Sequence, residues 1–235
     1  MPPDVTGCVL LTRPAAASKA LATRLRAAGA SVVISPLLRI VFAQALPPLD
    51  EALIFTSTNG VAAYRALGGP AGRPVWCVGP RTGRAARAAG LDLRGVAADA
   101  AALAQRIPQD APPLLHLRGA VQRGDLAAAL RARDLAARDA VIYTQDALPL
   151  TQEARAALDH PTLVPLFSPR SAALFAAACP AHAWPHLQLL SLSPAVAAVL
   201  PVASEIADMP DGAAMERLLR NALSLSAVEG RAGSD

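Results

Sequence analysis

The stretch Ile54-Phe55-Thr56-Ser57-Thr58-Asn59-Gly60-Val61-Ala62-Ala63-Tyr64 reads as a short buried strand running directly into a helix, with hydroxyl and amide side chains clustered at the join. The same device recurs at Val9-Leu10-Leu11-Thr12-Arg13-Pro14, Trp76-Cys77-Val78-Gly79-Pro80-Arg81-Thr82, Leu114-Leu115-His116-Leu117-Arg118-Gly119 and Leu166-Phe167-Ser168-Pro169-Arg170-Ser171. Apolar runs of strand length alternating with helical segments are the pattern of βαβ units and a parallel sheet. In such sheets ligands sit where strands end at their carboxyl edge, because unpaired backbone N–H groups and helix dipoles point there. Arg13, Arg81, Arg118 and Arg170 fall at four of these five edges. A rim of arginines, hydroxyls and helix starts suits a ligand bearing several carboxylates or phosphates.

Strands are predicted over residues 8–12, 31–35, 52–56, 75–78, 93–97, 114–118, 139–144, 163–167, 187–192 and 202–206. Helices are predicted over 15–28, 59–67, 82–89, 100–107, 123–133, 151–158, 171–178, 194–199 and 212–223, with 224–235 a frayed tail. Ten strands exceed one comfortable doubly wound sheet, and an internal repeat supplies the division. Phe55 to Tyr64 resembles Phe167 to Phe175 at an offset of 167 − 55 = 112. Val78-Gly79-Pro80 resembles Leu192-Ser193-Pro194 at 194 − 80 = 114, and Val96 to Leu103 echoes Ile206 to Met215 at 215 − 103 = 112.

Two similar α/β lobes account for that repeat. The five strands between 52 and 144 make one lobe, and the three after 163 need the two before 36 to make another. The expected organisation is therefore a discontinuous lobe of residues 1–36 and 146–235 and a continuous lobe of 43–140. Between them run linkers 37–42 and 141–145, of extended character and able to pair as an antiparallel ribbon beside an open cleft.

The composition excludes several classes. Hydrophobic residues reach 53%, an excess that is mostly alanine, yet no run approaches the roughly 18 uncharged apolar residues of a membrane span. Residues 1–7 lack the basic start and apolar core of a secretory signal, so the expected address is cytoplasmic. The net charge of +4 comes from arginines spread along the chain, with Lys19 the single lysine and aromatics at 3%, which argues against a nucleic-acid partner. Cys8, Cys77 and Cys179 lie far apart and read as core thiols. Neither G-x-G-x-x-G after a strand nor a P-loop nor a G-x-S-x-G elbow occurs. His182 and His186 stand near Cys179, but Pro180 and Pro185 interrupt the helix that would present them to a metal. His116, in mid-strand, reads as a satisfied core histidine.

Ser57, Thr58, Asn59, Thr82, Ser168 and Ser171 stand at predicted helix starts, where capping is the plain role and ligand contact the further one. A single surface arginine is ordinarily just solvated; four at one topological edge are a pattern. Tyr143, on the return crossing, either packs in the hinge or faces the ligand.

Over residues 8–223 the chain resembles the uroporphyrinogen-III synthase family. The resemblance rests on Leu11-Thr12-Arg13-Pro14, Phe55-Thr56-Ser57 with Gly60-Val61, and Val78-Gly79-Pro80-Arg81-Thr82. It continues in Leu117-Arg118-Gly119 with Arg123 and Leu126, Val141-Ile142-Tyr143-Thr144, Phe167-Ser168-Pro169 and Ser193-Pro194, in that order. It implies two flavodoxin-like lobes, one discontinuous, and cyclisation of hydroxymethylbilane with inversion of the last pyrrole ring and loss of water. No cofactor and no metal is implied, and the enzyme would be a monomer. Tyr143 matches the family's tyrosine thought to assist departure of the hydroxyl. The substrate-binding set would be Thr12, Arg13, Ser57, Thr58, Asn59, Gly60, Gly79, Arg81, Thr82, Arg118, Gly119, Ser168, Arg170, Ser171 and Ser193.

The chain departs from the family pattern twice. Ala195-Val196 follow Ser193-Pro194 where many relatives have a threonine, and Asp134 or Asp139 stands where relatives often end a helix on glycine, so that turn should need another geometry. The alternative from a different class is a two-lobed binding or sensor protein that closes on a small anionic ligand without chemistry; a scaffold that neither binds nor turns over is a third.

Overall fold

The structure, a computed structural model, describes residues 8–121 and 124–232. In chain order its elements are β1 (Cys8–Leu11), α1 (Ala15–Ala27), β2 (Ser31–Ile34), β3 (Leu38–Phe42), β4 (Ala52–Phe55), α2 (Thr58–Ala66), β5 (Pro74–Val78), α3 (Pro80–Ala88), β6 (Asp92–Ala97) and α4 (Ala100–Arg106). There follow β7 (Leu114–Gly119), α5 (Leu126–Arg131), β8 (Ala137–Ala147), α6 (Gln152–Ala157), β9 (Thr162–Leu166), α7 (Pro169–Ala178), β10 (Leu187–Ser191), α8 (Pro194–Ala197), β11 (Glu205–Ile206) and α9 (Gly212–Ala232). By compactness the chain divides into two units. Unit 1 takes the chain up to Arg39 and from Ala147 onward; unit 2 is Ile40–Asp146.

Unit 1 holds a sheet in the order β11-β10-β9-β1-β2, with each adjacent pair parallel. Its strands are apolar on both faces because helices cover both faces. Alternation sorts the side chains: Val9 and Leu11 pack with Leu21 and Leu25 of α1 and Met215 and Leu219 of α9, whereas Leu10 packs on the other side with Ala154 of α6 and Phe175 of α7.

Unit 2 follows the same rule around the order β3-β8-β7-β4-β5-β6. Leu53, Phe55, Leu115 and Leu117 face α2 and α3, while Ile54, Trp76 and Leu114 face α4 and α5. Strands β4 to β8 are parallel. Against the edge of β8 lies β3, antiparallel, since the Ala43 N–H donates to Ile142 O and the Leu148 N–H to Leu37 O.

The spatial order β6-β5-β4-β7-β8 of unit 2 matches β11-β10-β9-β1-β2 of unit 1, element for element. The chain order is permuted: β7 and β8 follow their repeat, whereas β1 and β2 precede theirs. Strand order therefore reverses between β4 and β7 in unit 2 and between β1 and β9 in unit 1, the switch points at which doubly wound sheets open a crevice. The helix caps refine the repeat. Ser57 caps α2 and Ser168 caps α7, an offset of 168 − 57 = 111, so the structural counterpart of Thr56 is Phe167 and that of Phe55 is Leu166. Matching Phe55 to Phe167 by residue type slips this join by one position.

Other sequence expectations shift in definite ways. The outbound linker becomes a sixth strand, β3, and β8 runs to 11 residues because it pairs on both edges. Only Glu205 and Ile206 of the run 202–206 form a strand. Residues 181–186 form a 3-10 helix containing Pro185, whose His182 Nε2 lies 3.1 Å from Asp159 Oδ1. The region read as a frayed tail continues α9 to Ala232. Arg123, quoted above as part of a motif, lies outside the described residues.

After α5 the turn keeps the left-handed geometry that glycine ordinarily supplies. Asp134 itself adopts φ +59°, and the Leu135 N–H closes back on Leu130 O. The expectation of a different turn geometry is thereby corrected.

Candidate functional site

At the unit 2 switch point Ser57, in extended conformation, caps α2 by accepting from the Asn59 N–H at 3.1 Å. Gly60 lets the first turn of α2 settle onto both bordering strands: a Cβ there would stand 3.0 Å from Phe55 Cδ1 and 3.1 Å from Leu117 O. Thr58 and Asn59 lie on the same turn. Across the crevice, Arg118 at the end of β7 reaches Asp139 Oδ2 on β8 at 2.5 Å and donates to Gly119 O. Its charge is therefore already half committed within the rim.

Tyr143 reaches this rim through a β-bulge. Arg118 pairs with Val141 but Gly119 with Tyr143, so β8 carries one residue more than β7 at that step. Strict alternation breaks: Ile142 and Tyr143 are both buried in succession. The Tyr143 ring is laid over Gly119, where a Cβ would come within 2.6 Å of its Cζ and 2.9 Å of its Oη. Among the described residues no group hydrogen-bonds Tyr143 Oη. The ring is therefore packed, with its hydroxyl end at the carboxyl edge of β7.

One strand over, Gly79 takes φ +80° as the cap of α3, a conformation for which a side chain would be strained. Arg81 is exposed there, and Thr82, one turn in, is buried. The counterpart of Thr82 in unit 1 is Val196, 1% exposed and packed in the core, so the absent threonine of the Ser193-Pro194 turn is replaced by its apolar near-isostere. Ser193 occupies the cap of α8 without a side-chain capping bond.

At the unit 1 switch point the Arg13 guanidinium lies over the Phe167 ring, 4.1 Å from its centroid. Ser168 caps α7 by accepting from the Ser171 N–H, and the two hydroxyls lie 2.8 Å apart. Arg170 belongs to the same first turn. Thr12, immediately after β1, is 1% exposed and its Oγ1 has no partner among the described residues.

The sequence reading missed two residues. His116 on β7 is 4% exposed, and its Nε2 meets Thr56 Oγ1 at 3.1 Å across the switch point. It is not the satisfied core histidine expected, because Nδ1 has no partner among the described residues. Burial above all, then the charge of Arg118, pushes its pKa down to about 4, so it is neutral at pH 7. The hydroxyl of Thr56 beside Ser57 was the available signal, but its pairing with a residue 60 positions away was not. Burial likewise pushes the Cys77 thiol up to about 12, as suits a core thiol. Among the described residues no group of three or more His, Cys, Asp or Glu is placed to hold a metal, and no helix is long and apolar enough to cross a membrane.

Fold and rim together define a protein of two doubly wound α/β units whose carboxyl edges gather arginines, capped helix starts and buried hydroxyls. Residues 19–218 match the family model of uroporphyrinogen-III synthase HemD. The chain belongs to the uroporphyrinogen-III synthase family, and so is a cyclising lyase of tetrapyrrole biosynthesis rather than a non-catalytic binding protein.

Solved structures agree in fold. The uroporphyrinogen-III synthetase of Helicobacter pylori is 20% identical with a TM-score of 0.62, over 84% of this chain and 94% of that one. A selenomethionine mutant of the Thermus thermophilus synthase is 17% identical with a TM-score of 0.58, over 93% and 99%. Among curated proteins none matches the chain.

Proposed function

We propose that the carboxyl edges of the two sheets bind the acetate and propionate arms of hydroxymethylbilane, and that Tyr143 assists loss of its terminal hydroxyl. In this reading Thr12, Arg13, Ser168, Arg170, Ser171 and Ser193 of unit 1 and Ser57, Thr58, Asn59, Gly60, Gly79, Arg81, Thr82, Arg118 and Gly119 of unit 2 supply charge, hydroxyls and helix-start N–H groups to the acid arms. The Tyr143 phenol hydrogen-bonds the departing oxygen, which leaves as water. The azafulvene so formed is attacked by the last pyrrole, and the resulting spiro intermediate rearranges before ring closure.

Because the bilane also closes unaided to the uninverted isomer, the protein's contribution is positioning and preorganised electrostatics rather than a nucleophile. The observation that carries the role of Tyr143 is the bulge that lays its ring over Gly119 at the end of β7. Arg13 on Phe167 and Arg118 on Asp139 are cations held in place by a neighbour, so little side-chain freedom remains to be lost on binding.

The enzyme is further proposed to act as a cytoplasmic monomer of 24.1 kDa, without cofactor and with neither nucleic acid nor membrane as partner. Light scattering checks the monomer. For Tyr143, the test is Tyr143→Phe with freshly generated hydroxymethylbilane and separation of the product isomers. Turnover to the type III isomer falls several-fold, below the roughly 10²–10⁴-fold that a positioned proton donor can supply, and is not abolished. A stable variant with full turnover removes Tyr143 from the chemistry.

A further inference from the structure

Three fully buried side-chain groups among the described residues lack a partner: Thr12 Oγ1, Arg73 Nε and His116 Nδ1. His116 alone of these spans a switch point, through its 3.1 Å contact with Thr56 Oγ1. We infer that His116 is a positioning residue which fixes the hydrogen of Thr56, so that Thr56 O–H is the donor unit 2 presents to an acid-arm carboxylate of the substrate. The inference rests on the reading given under Proposed function.

Burial excludes the imidazolium, so the ring carries a single N–H, on one nitrogen or the other. Were it on Nδ1, the interior would hold a bare N–H donor, the rarer kind of unsatisfied buried group; on Nε2 it is used, and Nδ1 is left only a lone pair. His116 Nε2–H therefore donates to Thr56 Oγ1. A hydroxyl whose oxygen accepts from that side must direct its own hydrogen elsewhere.

Within the described residues Thr56 Oγ1 has no other hydrogen-bond partner. It is half-buried, at the carboxyl end of β4 and immediately before the α2 cap, and its branched side chain is stiff about χ1. The donor is thus aimed before a ligand arrives, which is the condition for strong electrostatic stabilisation.

The counterpart of Thr56 sharpens the point. In unit 1 that position is Phe167, which carries Arg13 on its ring. One switch point offers a cation on an aromatic platform; the other, beside an Arg118 already paired with Asp139, adds a neutral oriented donor behind a buried histidine. The two rims are therefore suited to different arms of an asymmetric substrate.

Two measurements test this. Imidazole ¹⁵N spectra of the wild-type protein should report a neutral His116 with its proton on Nε2; a proton on Nδ1 overturns the inference whatever the enzyme's activity. Kinetics with hydroxymethylbilane should then show KM raised about tenfold or more in T56V, as for a lost hydrogen bond to a charged group, with kcat less affected. His116→Met should raise KM by a similar factor, the double variant should be no worse than T56V, and T56S and H116Q, which retain a hydroxyl and an N–H donor, should recover most of the loss. Additive losses in the double variant, or a wild-type KM in a folded His116→Met, refute the coupling. Absence of type III product from the wild type instead refutes the functional reading, leaving the tautomer result to stand or fall by itself.

Discussion

Acidification should destabilise unit 2 through one residue. In the folded chain burial, and after it the charge of Arg118, holds the His116 pKa at about 4 against an ordinary 6.5, with Asp139 and Asp125 pulling the other way. Between those two values the unfolded chain binds a proton that the folded chain refuses. The stability tied to neutral His116 is thus complete above about pH 6.5 and is lost progressively as the pH falls toward 4. At about 1.4 kcal/mol per pH unit the loss approaches about 3 kcal/mol, a large share of the roughly 5–15 kcal/mol that holds a typical domain together.

Urea unfolding at pH 7, 6, 5 and 4 measures it. In a Trp184→Phe background Trp76, one of two tryptophans in the chain, reports unit 2 alone. H116Q, which cannot titrate in this range, supplies the baseline. Glu51, whose pKa is lowered by Arg138, loses its contribution only near and below its ordinary 4.5, and does so equally in both proteins. The wild type should fall more steeply than H116Q, with the gap opening between pH 6.5 and 4. Parallel curves would show that His116 is not buried and neutral, and the argument for its tautomer would go with them.

Two further outcomes follow from single positions. Asp134→Gly should raise stability by up to about 1 kcal/mol, because φ +59° costs an L-residue roughly 1–2 kcal/mol and glycine returns part of that as unfolded-state entropy; an unchanged or lower urea midpoint contradicts a strained Asp134. Arg81 is exposed and has no ion pair among the described residues, so Arg81→Ala should raise KM for the bilane at low ionic strength, and the effect should shrink in high salt. A KM ratio that is constant across a salt series would show that Arg81 does not read substrate charge.

Much of the fold was legible because its signals are local. Apolar runs at 8–11, 52–55, 114–117 and 162–166 needed only to be long enough and apolar enough to be strands covered on both faces. The serine caps at 57 and 168 depend on their own first turns, and the repeat of those joins exposed the duplicated architecture. Residue-type matching still paired Phe55 with Phe167, because sequence similarity cannot see which phenylalanine ends a strand inside the sheet and which follows one at the rim.

The sequence by itself determined the parallel α/β class, the duplication, the discontinuous pairing of 8–34 with the strands after 162, and a carboxyl edge rich in arginine and hydroxyls. All of these follow from patterns a few residues wide, repeated along the chain. Only the tertiary structure decided what those rim groups do. Arg118 is held by Asp139, 21 residues on; Tyr143 lies over Gly119 because β8 carries one extra residue against β7; and His116 meets Thr56 across 60 residues. Each depends on the register between strands, which is set by the packing of whole sheets and leaves no mark in the local sequence.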